Sequence, residues 1–129
     1  MLFPENIEEK IGFDKIRSLL KTECKSTLGK EFVDKMRFHS RKDTLELLLR
    51  QTGEMMDLIT TTGDVPALGN IDAFIHLRDA KIPGTFLNAT QLHELALAME
   101  VLRQWLDFIK KNKETDGAIF ELSETIGFD

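Results

Sequence analysis

The sequence has no tyrosine, one cysteine, one tryptophan and only three prolines among 129 residues. Without tyrosine hydroxyls, the nine phenylalanines serve mainly as apolar filling. The single Cys24 excludes an internal disulfide and fits a reducing cytoplasm. No apolar run approaches the roughly 20 residues that a membrane span needs. The amino terminus lacks the basic and apolar regions of a secretion signal. No Gly-x-x-x-x-Gly-Lys-Ser/Thr stretch is present, so a phosphate-cradling loop is excluded. Gly29-Lys30 lacks the earlier glycine and is followed by Glu31.

What remains is ordinary for a folded protein. Hydrophobic residues make up 42% and charged residues 30%, which places the chain among globular rather than disordered sequences. Its length fits a single helical domain, 1–129, able to bury a core. The net charge of −5 argues against general affinity for nucleic acid. The charge is uneven, because residues 1–50 hold 11 Lys and Arg against 9 Asp and Glu, whereas residues 51–129 hold 6 against 13. Any phosphate contacts are therefore expected on the first half.

Apolar spacing predicts an all-α bundle with two long amphipathic helices and several short ones. Pro4 suits a first helical turn, Ile7 and Ile11 share a face, and Gly12 is a stop. Asp14 reads as the N-cap of a helix running to Glu23 or Cys24. Ser26 reads as the next cap, with Leu28, Phe32, Val33 and Met36 inward. Ser40 with Asp43 resembles a capping box for a helix from Arg41 to Thr60. Its expected apolar face is Leu45, Leu48, Leu49, Thr52, Met55, Met56 and Ile59. Gly53 within that helix suggests close contact with another helix.

Residues 61–70 read as a loop, followed by a short helix over 72–80 with Phe74, Ile75 and Leu77 near the core. Pro83-Gly84 reads as a turn. The second long helix has the clearest start, with Asn88 and Gln91 as a capping box and Leu87 against Leu92 as a hydrophobic staple. Leu92, Leu95, Ala96, Met99, Leu102, Leu106 and Ile109 form its expected stripe. Lys110, Lys111 and Lys113 sit at its end, Asp116-Gly117 breaks it, and residues 118–126 add a short helix. The final Gly127-Phe128-Asp129 resembles a helix stop and suggests a fragment of a longer protein.

No set of residues assembles a catalytic, cofactor or metal site. His76 and Asp79, with Asp72 a turn earlier, are too few ligands for a metal. His39 stands alone, and His93-Glu94 point in different directions on a helix. Cys24 lies on an apolar helical face and reads as a buried, inert thiol. Asn88-Ala89-Thr90 matches a glycosylation pattern, but Asn88 is better used as a helix cap. Trp105 and Phe108 read as core or inter-domain packing, and Met55 and Met56 as core filling.

Several stretches resemble one family. Phe3-Pro4-Glu5-Asn6, Lys10-Ile11-Gly12-Phe13-Asp14-Lys15-Ile16 and Cys24-Lys25-Ser26-Thr27-Leu28-Gly29-Lys30 look like the amino-terminal start of bacterial MutS-two proteins, a subgroup of the MutS family of DNA-handling ATPases. Ile82-Pro83-Gly84-Thr85-Phe86-Leu87 resembles the family's Gly-Thr-Phe-Leu stretch before a long helix. Cys24-x-Ser26-x-x-Gly29-Lys30 followed by Leu48-Leu49-Arg50-Gln51 resembles the wider MutS core-domain pattern. Glu31-Phe32 departs from the basic and aliphatic residues common in mismatch-recognising members. No DNA contact is therefore assigned to that helix.

The resemblance implies the beginning of the helical core and lever region, and a role in transmitting motion rather than in chemistry. It implies a cytoplasmic, homodimeric parent that uses ATP and Mg, binds branched or recombination-intermediate DNA, and acts in repair and suppression of recombination. Many such proteins also carry a carboxy-terminal nuclease module. None of the residues quoted is a family catalytic residue. The competing expectation is an independent helical adaptor that binds another protein through an apolar groove.

Overall fold

The computed structural model describes residues 5–69, 71–112 and 117–126. Among them all regular structure is helical, in agreement with the all-α expectation. The chain divides into two compact units, residues 1–37 and 38–129.

The first unit holds α1 (Ile7–Lys10), α2 (Phe13–Glu23) and α3 (Thr27–Asp34). Gly12 sits between α1 and α2 with φ of 75°, a conformation that costs a residue with a Cβ. Its amide closes α1 onto the Glu9 carbonyl, and its own carbonyl accepts the Lys15 amide. The left-handed residue therefore serves as the N-cap of α2, and Asp14, expected there, lies in the first turn instead. Ser26 caps α3 as its sequence predicts, its Oγ accepting the Gly29 amide at 2.9 Å. A Cβ on Gly29 would stand 3.1 Å from that Oγ, so the glycine leaves room for the capping hydroxyl.

Arg17 joins the three helices of this unit. Its Nη2 donates to both Glu8 carboxylate oxygens at 3.0 Å, and its Nη1 donates to the Val33 carbonyl. The guanidinium thus sits at the carboxy-terminal end of α3, where helix carbonyls favour a cation. Lys21 bridges α2 to Asp34 of α3 at 2.8 Å. Of the four residues expected inward on α3 and just after it, Val33 is buried and Leu28 half-buried. Phe32 remains 75% exposed, and Met36 is exposed too.

The second unit holds α4 (Lys42–Thr61), a 3-10 turn (Ile71–Ile75), α5 (His76–Asp79), α6 (Ala89–Lys111) and α7 (Ala118–Glu124). Helix α6 has the full capping box: Asn88 Oδ1 accepts the Gln91 amide at 2.9 Å, and Gln91 Oε1 accepts the Asn88 amide at 3.0 Å. Its buried residues are Leu95, Ala98, Leu106 and Phe108. The stripe is therefore rotated from the expected one, with Ala98 and Phe108 inward and Ala96 and Met99 outward. Leu92, the expected staple residue, is 54% exposed. The 3-10 turn packs on α6 through Ala73, which is buried where Ile75 and Leu77 are not. Pro83 and Gly84, with Gly84 at φ of 86° and the Thr85 amide donating to the Ile82 carbonyl, make the expected turn before α6.

Helix α7 packs against both α4 and α6, with Ala118 and Ser123 buried. Helix α4 departs most from expectation. It starts at Lys42 with no side-chain cap, so Ser40 and Asp43 form no capping box. Its half-buried side is Gln51, Glu54, Met55 and Leu58, whereas Leu45, Leu48, Leu49, Thr52, Met56 and Ile59 are exposed. A Cβ on Gly53 would meet nothing within 4 Å, so no close helix contact explains that glycine. Pro4, Lys113, Asp116 and residues 127–129, also assigned from the sequence, lie outside the described residues.

Candidate functional site

The second unit contains a cleft of about 340 Å³ between the carboxy-terminal halves of α4 and α6 and the start of α7. Glu54, Leu58 and Thr61 line it from α4, Ile109 and Asn112 from the end of α6, and Ile119 from α7. That volume lies at the small end of ligand-binding clefts. The chemistry of its walls decides what it can do.

Glu54 is the charged group with the most defined environment. Its Oε2 accepts the Ile119 amide at 2.9 Å, and its Oε1 accepts Arg50 Nε at 2.9 Å. Partial burial pushes its carboxyl pKa up, but the amides of Ile119 and Ala118 and the Arg50 guanidinium outweigh burial and hold it below 4.5. A carboxylate held ionised and occupied in this way is a poor proton donor or acceptor near neutral pH. Its work is structural. Gly117 begins α7 with no side chain to cap it, and Glu54 supplies from α4 the acceptor that the first amides of α7 require.

The sequence did not point to this contact, because its partners are 65 positions apart. One signal was present: a short helix beginning after Gly117 has no local cap, so its amides need a remote acceptor.

The other candidate residues are scattered. His76 does not meet Asp79 but bonds Glu94 on α6, Nε2 to Oε2 at 2.9 Å, tying α5 to α6. His39 and His93 are exposed. Among the described residues no group of three or more His, Cys, Asp or Glu is placed to hold a metal ion. Cys24 is half-buried rather than buried, its Sγ donating to the Leu20 carbonyl at 3.3 Å. Trp105 and Phe108 meet edge to face at 5.6 Å, with Phe108 buried as packing predicts. Met55 is half-buried but Met56 is 62% exposed, so only the first of the pair fills the interior. Among the described residues no helix is long and apolar enough to cross a membrane.

The chain is similar in sequence to bacterial proteins named endonuclease MutS2. It is 32% identical over 104 residues to the protein of a Geobacillus strain, covering 81% of this chain and 13% of that protein. It is 28% identical over 111 residues to the Staphylococcus aureus protein, covering 84% and 14%, and 26% identical over 104 residues to that of Alkaliphilus oremlandii, covering 81% and 13%. The chain thus spans about one seventh of the length of these relatives. No family model matches the chain, and no solved structure matches it.

Proposed function

We propose that this chain is a helical module of a MutS-type protein that handles DNA in repair and in suppressing recombination, and that it transmits motion rather than performing chemistry. The observation that carries this reading is the similarity to endonuclease MutS2 proteins over 81–88% of the chain. The side chains fit a mechanical part. The best-defined carboxylate is committed to holding a helix rather than left free for proton transfer. The α6 rod of 23 residues is about 35 Å long, enough to carry a displacement from one end to the other as a rigid body.

On this reading ATP and Mg act elsewhere in the parent, at a nucleotide site that these residues do not form. The parent is a cytoplasmic homodimer that engages branched or recombination-intermediate DNA, and a nuclease activity belongs to another of its regions. We place the chain at the start of the core and lever region on the resemblance of its opening motifs, between Phe3 and Lys30, to the amino-terminal start of such proteins. The adaptor reading is favoured by one observation, the uncovered apolar residues of α4.

Hydrogen exchange on the longer protein carrying this module tests the proposal. Addition of a non-hydrolysable ATP analogue should change protection in α4 or α6. Identical protection with and without nucleotide, in a protein that binds the analogue, sinks the transmission role. A nucleotide-independent complex between the 129-residue chain and an unrelated protein, blocked by charge at Leu49, would favour the adaptor.

A further inference from the structure

The side chains around the cleft of the second unit offer hydrogen-bond acceptors and few donors. The Thr61 hydroxyl donates to the Asp57 carbonyl at 2.6 Å, and Asn112 Nδ2 donates to the Phe108 carbonyl at 2.8 Å. With its nitrogen turned to that carbonyl, the Asn112 amide keeps Oδ1 as an acceptor. Glu54 is committed to the start of α7 and to Arg50. Asp57, almost one turn further along α4, also lines the cleft, and its exposed carboxylate has no partner among the described residues.

The electrostatics favour a cation there. Among the described residues that line the cleft there is no lysine, arginine or histidine. Arg50 offsets Glu54 from outside it, and Lys110, in the last turn of α6, faces Glu124 of α7 at 4.0 Å. Asp57 is left uncompensated. It stands where α4 and α6, of 20 and 23 residues, both end, and the carbonyl ends of long helices attract positive charge. The start of α7 would attract an anion, but Glu54 already occupies it. The surroundings agree, since residues 51–129 hold 6 Lys and Arg against 13 Asp and Glu. Leu58, Ile109, Ile119 and Phe120 supply the apolar part of the walls.

We infer that the cleft receives an arginine side chain presented by a partner protein, its guanidinium on Asp57 and Asn112 Oδ1 and its methylene stem along the apolar walls. The acceptors come from two helices, and a planar fork of five donors can meet both where the compact ammonium of lysine meets one. The stem suits the apolar walls, as long cationic side chains bury their methylenes and leave the charged end to polar groups. The same charge repels phosphates and nucleotides. The inference concerns this cleft alone and stands apart from the function proposed above.

Amide NMR on the 129-residue chain tests it, with arginine blocked at both ends (N-acetyl, methylamide) as the probe. Shifts should gather at Thr61, Asn112 and Ile119 and saturate at millimolar probe. The blocked citrulline counterpart, alike in shape but uncharged, should bind far more weakly, and blocked lysine more weakly than arginine. Asp57→Asn should weaken binding roughly three- to fivefold, the worth of a good exposed ion pair, and Asp57→Lys should abolish it. Free arginine carries a carboxylate that Asp57 repels, so it should bind less tightly than the blocked form. The reverse order assigns the cleft to a small molecule and overturns the inference. Lys113→Ala removes a cation next to Asn112 in sequence, and binding seen only in that variant means that the chain fills its own cleft. That result overturns the inference too, as do the absence of shifts in every variant, equal binding of the arginine and citrulline probes, or binding indifferent to Asp57→Asn.

Discussion

The Glu54 carboxylate accepts the Ile119 amide at 2.9 Å, across 65 positions of sequence. A residue midway along α4 thereby does for α7 what Ser26 does locally for α3 and Asn88 for α6. Glu54→Ala removes the acceptor and leaves the first amides of α7 beside an apolar methyl. Loss of an N-cap costs about 1–2 kcal/mol, so the urea midpoint should fall accordingly. Hydrogen exchange should place the lost protection in α7. An unchanged midpoint would show that solvent supplies the cap equally well.

The same contact makes stability depend on acidity. The carboxyl of Glu54 is held below 4.5 in the folded chain, so the folded state binds its proton less readily than the unfolded state does. Its contribution is complete above the unfolded value and is lost as pH falls through the folded one. The stability difference between the native chain and Glu54→Gln should be constant near neutrality and shrink as pH drops below 4.5. A difference that grows on acidification would reverse the sign argued here.

Arg17 is the corresponding tie in the first unit. It bonds Glu8 of α1 and the Val33 carbonyl at the end of α3. Arg17→Met keeps much of the side-chain volume but leaves these acceptors without their donor. A cost of about 1–3 kcal/mol is expected. Limited proteolysis should then cut earlier within residues 1–37 than within residues 38–129. Arg17→Lys should recover part of the loss, because a point charge cannot reproduce the two-oxygen contact with Glu8.

Gly53 offers a gain rather than a loss. It lies within α4, and an added Cβ meets nothing within 4 Å. Gly53→Ala should raise stability by up to about 1 kcal/mol through helix propensity alone. A thermal midpoint lower than that of the native chain would reveal a close contact at this position.

Local rules made much of the fold legible. Ser26 and Asn88 cap the helices that their sequence neighbourhoods assign them, because a hydroxyl or amide three residues before a bare N–H needs no tertiary information. Asp14 failed because Gly12, in a left-handed conformation, started its helix earlier than an acidic cap would. The stripe of α4 failed for another reason. Its spacing marks an apolar face but not what lies against it, and α7 packs on α4 where Glu54, on a neighbouring side, accepts the Ile119 amide. The Glu54 cap and the three-helix reach of Arg17 were invisible because both join positions that only tertiary structure brings together. The histidines illustrate the converse, since His76 and Asp79 are close in sequence yet His76 takes Glu94 as its partner.

The unequal capping of the two final helices has a kinetic consequence. Helix α6 carries both halves of its own start signal and a basic last turn, so it can begin forming from local interactions. Helix α7 has seven residues, a glycine at its head, and a cap borrowed from α4. Its cap forms only once the chain has brought together residues 65 positions apart, and closing a long loop slows folding. Pulsed hydrogen exchange during refolding is therefore expected to find α6 protected before α7, and equal rates for the two would remove this consequence of the borrowed cap.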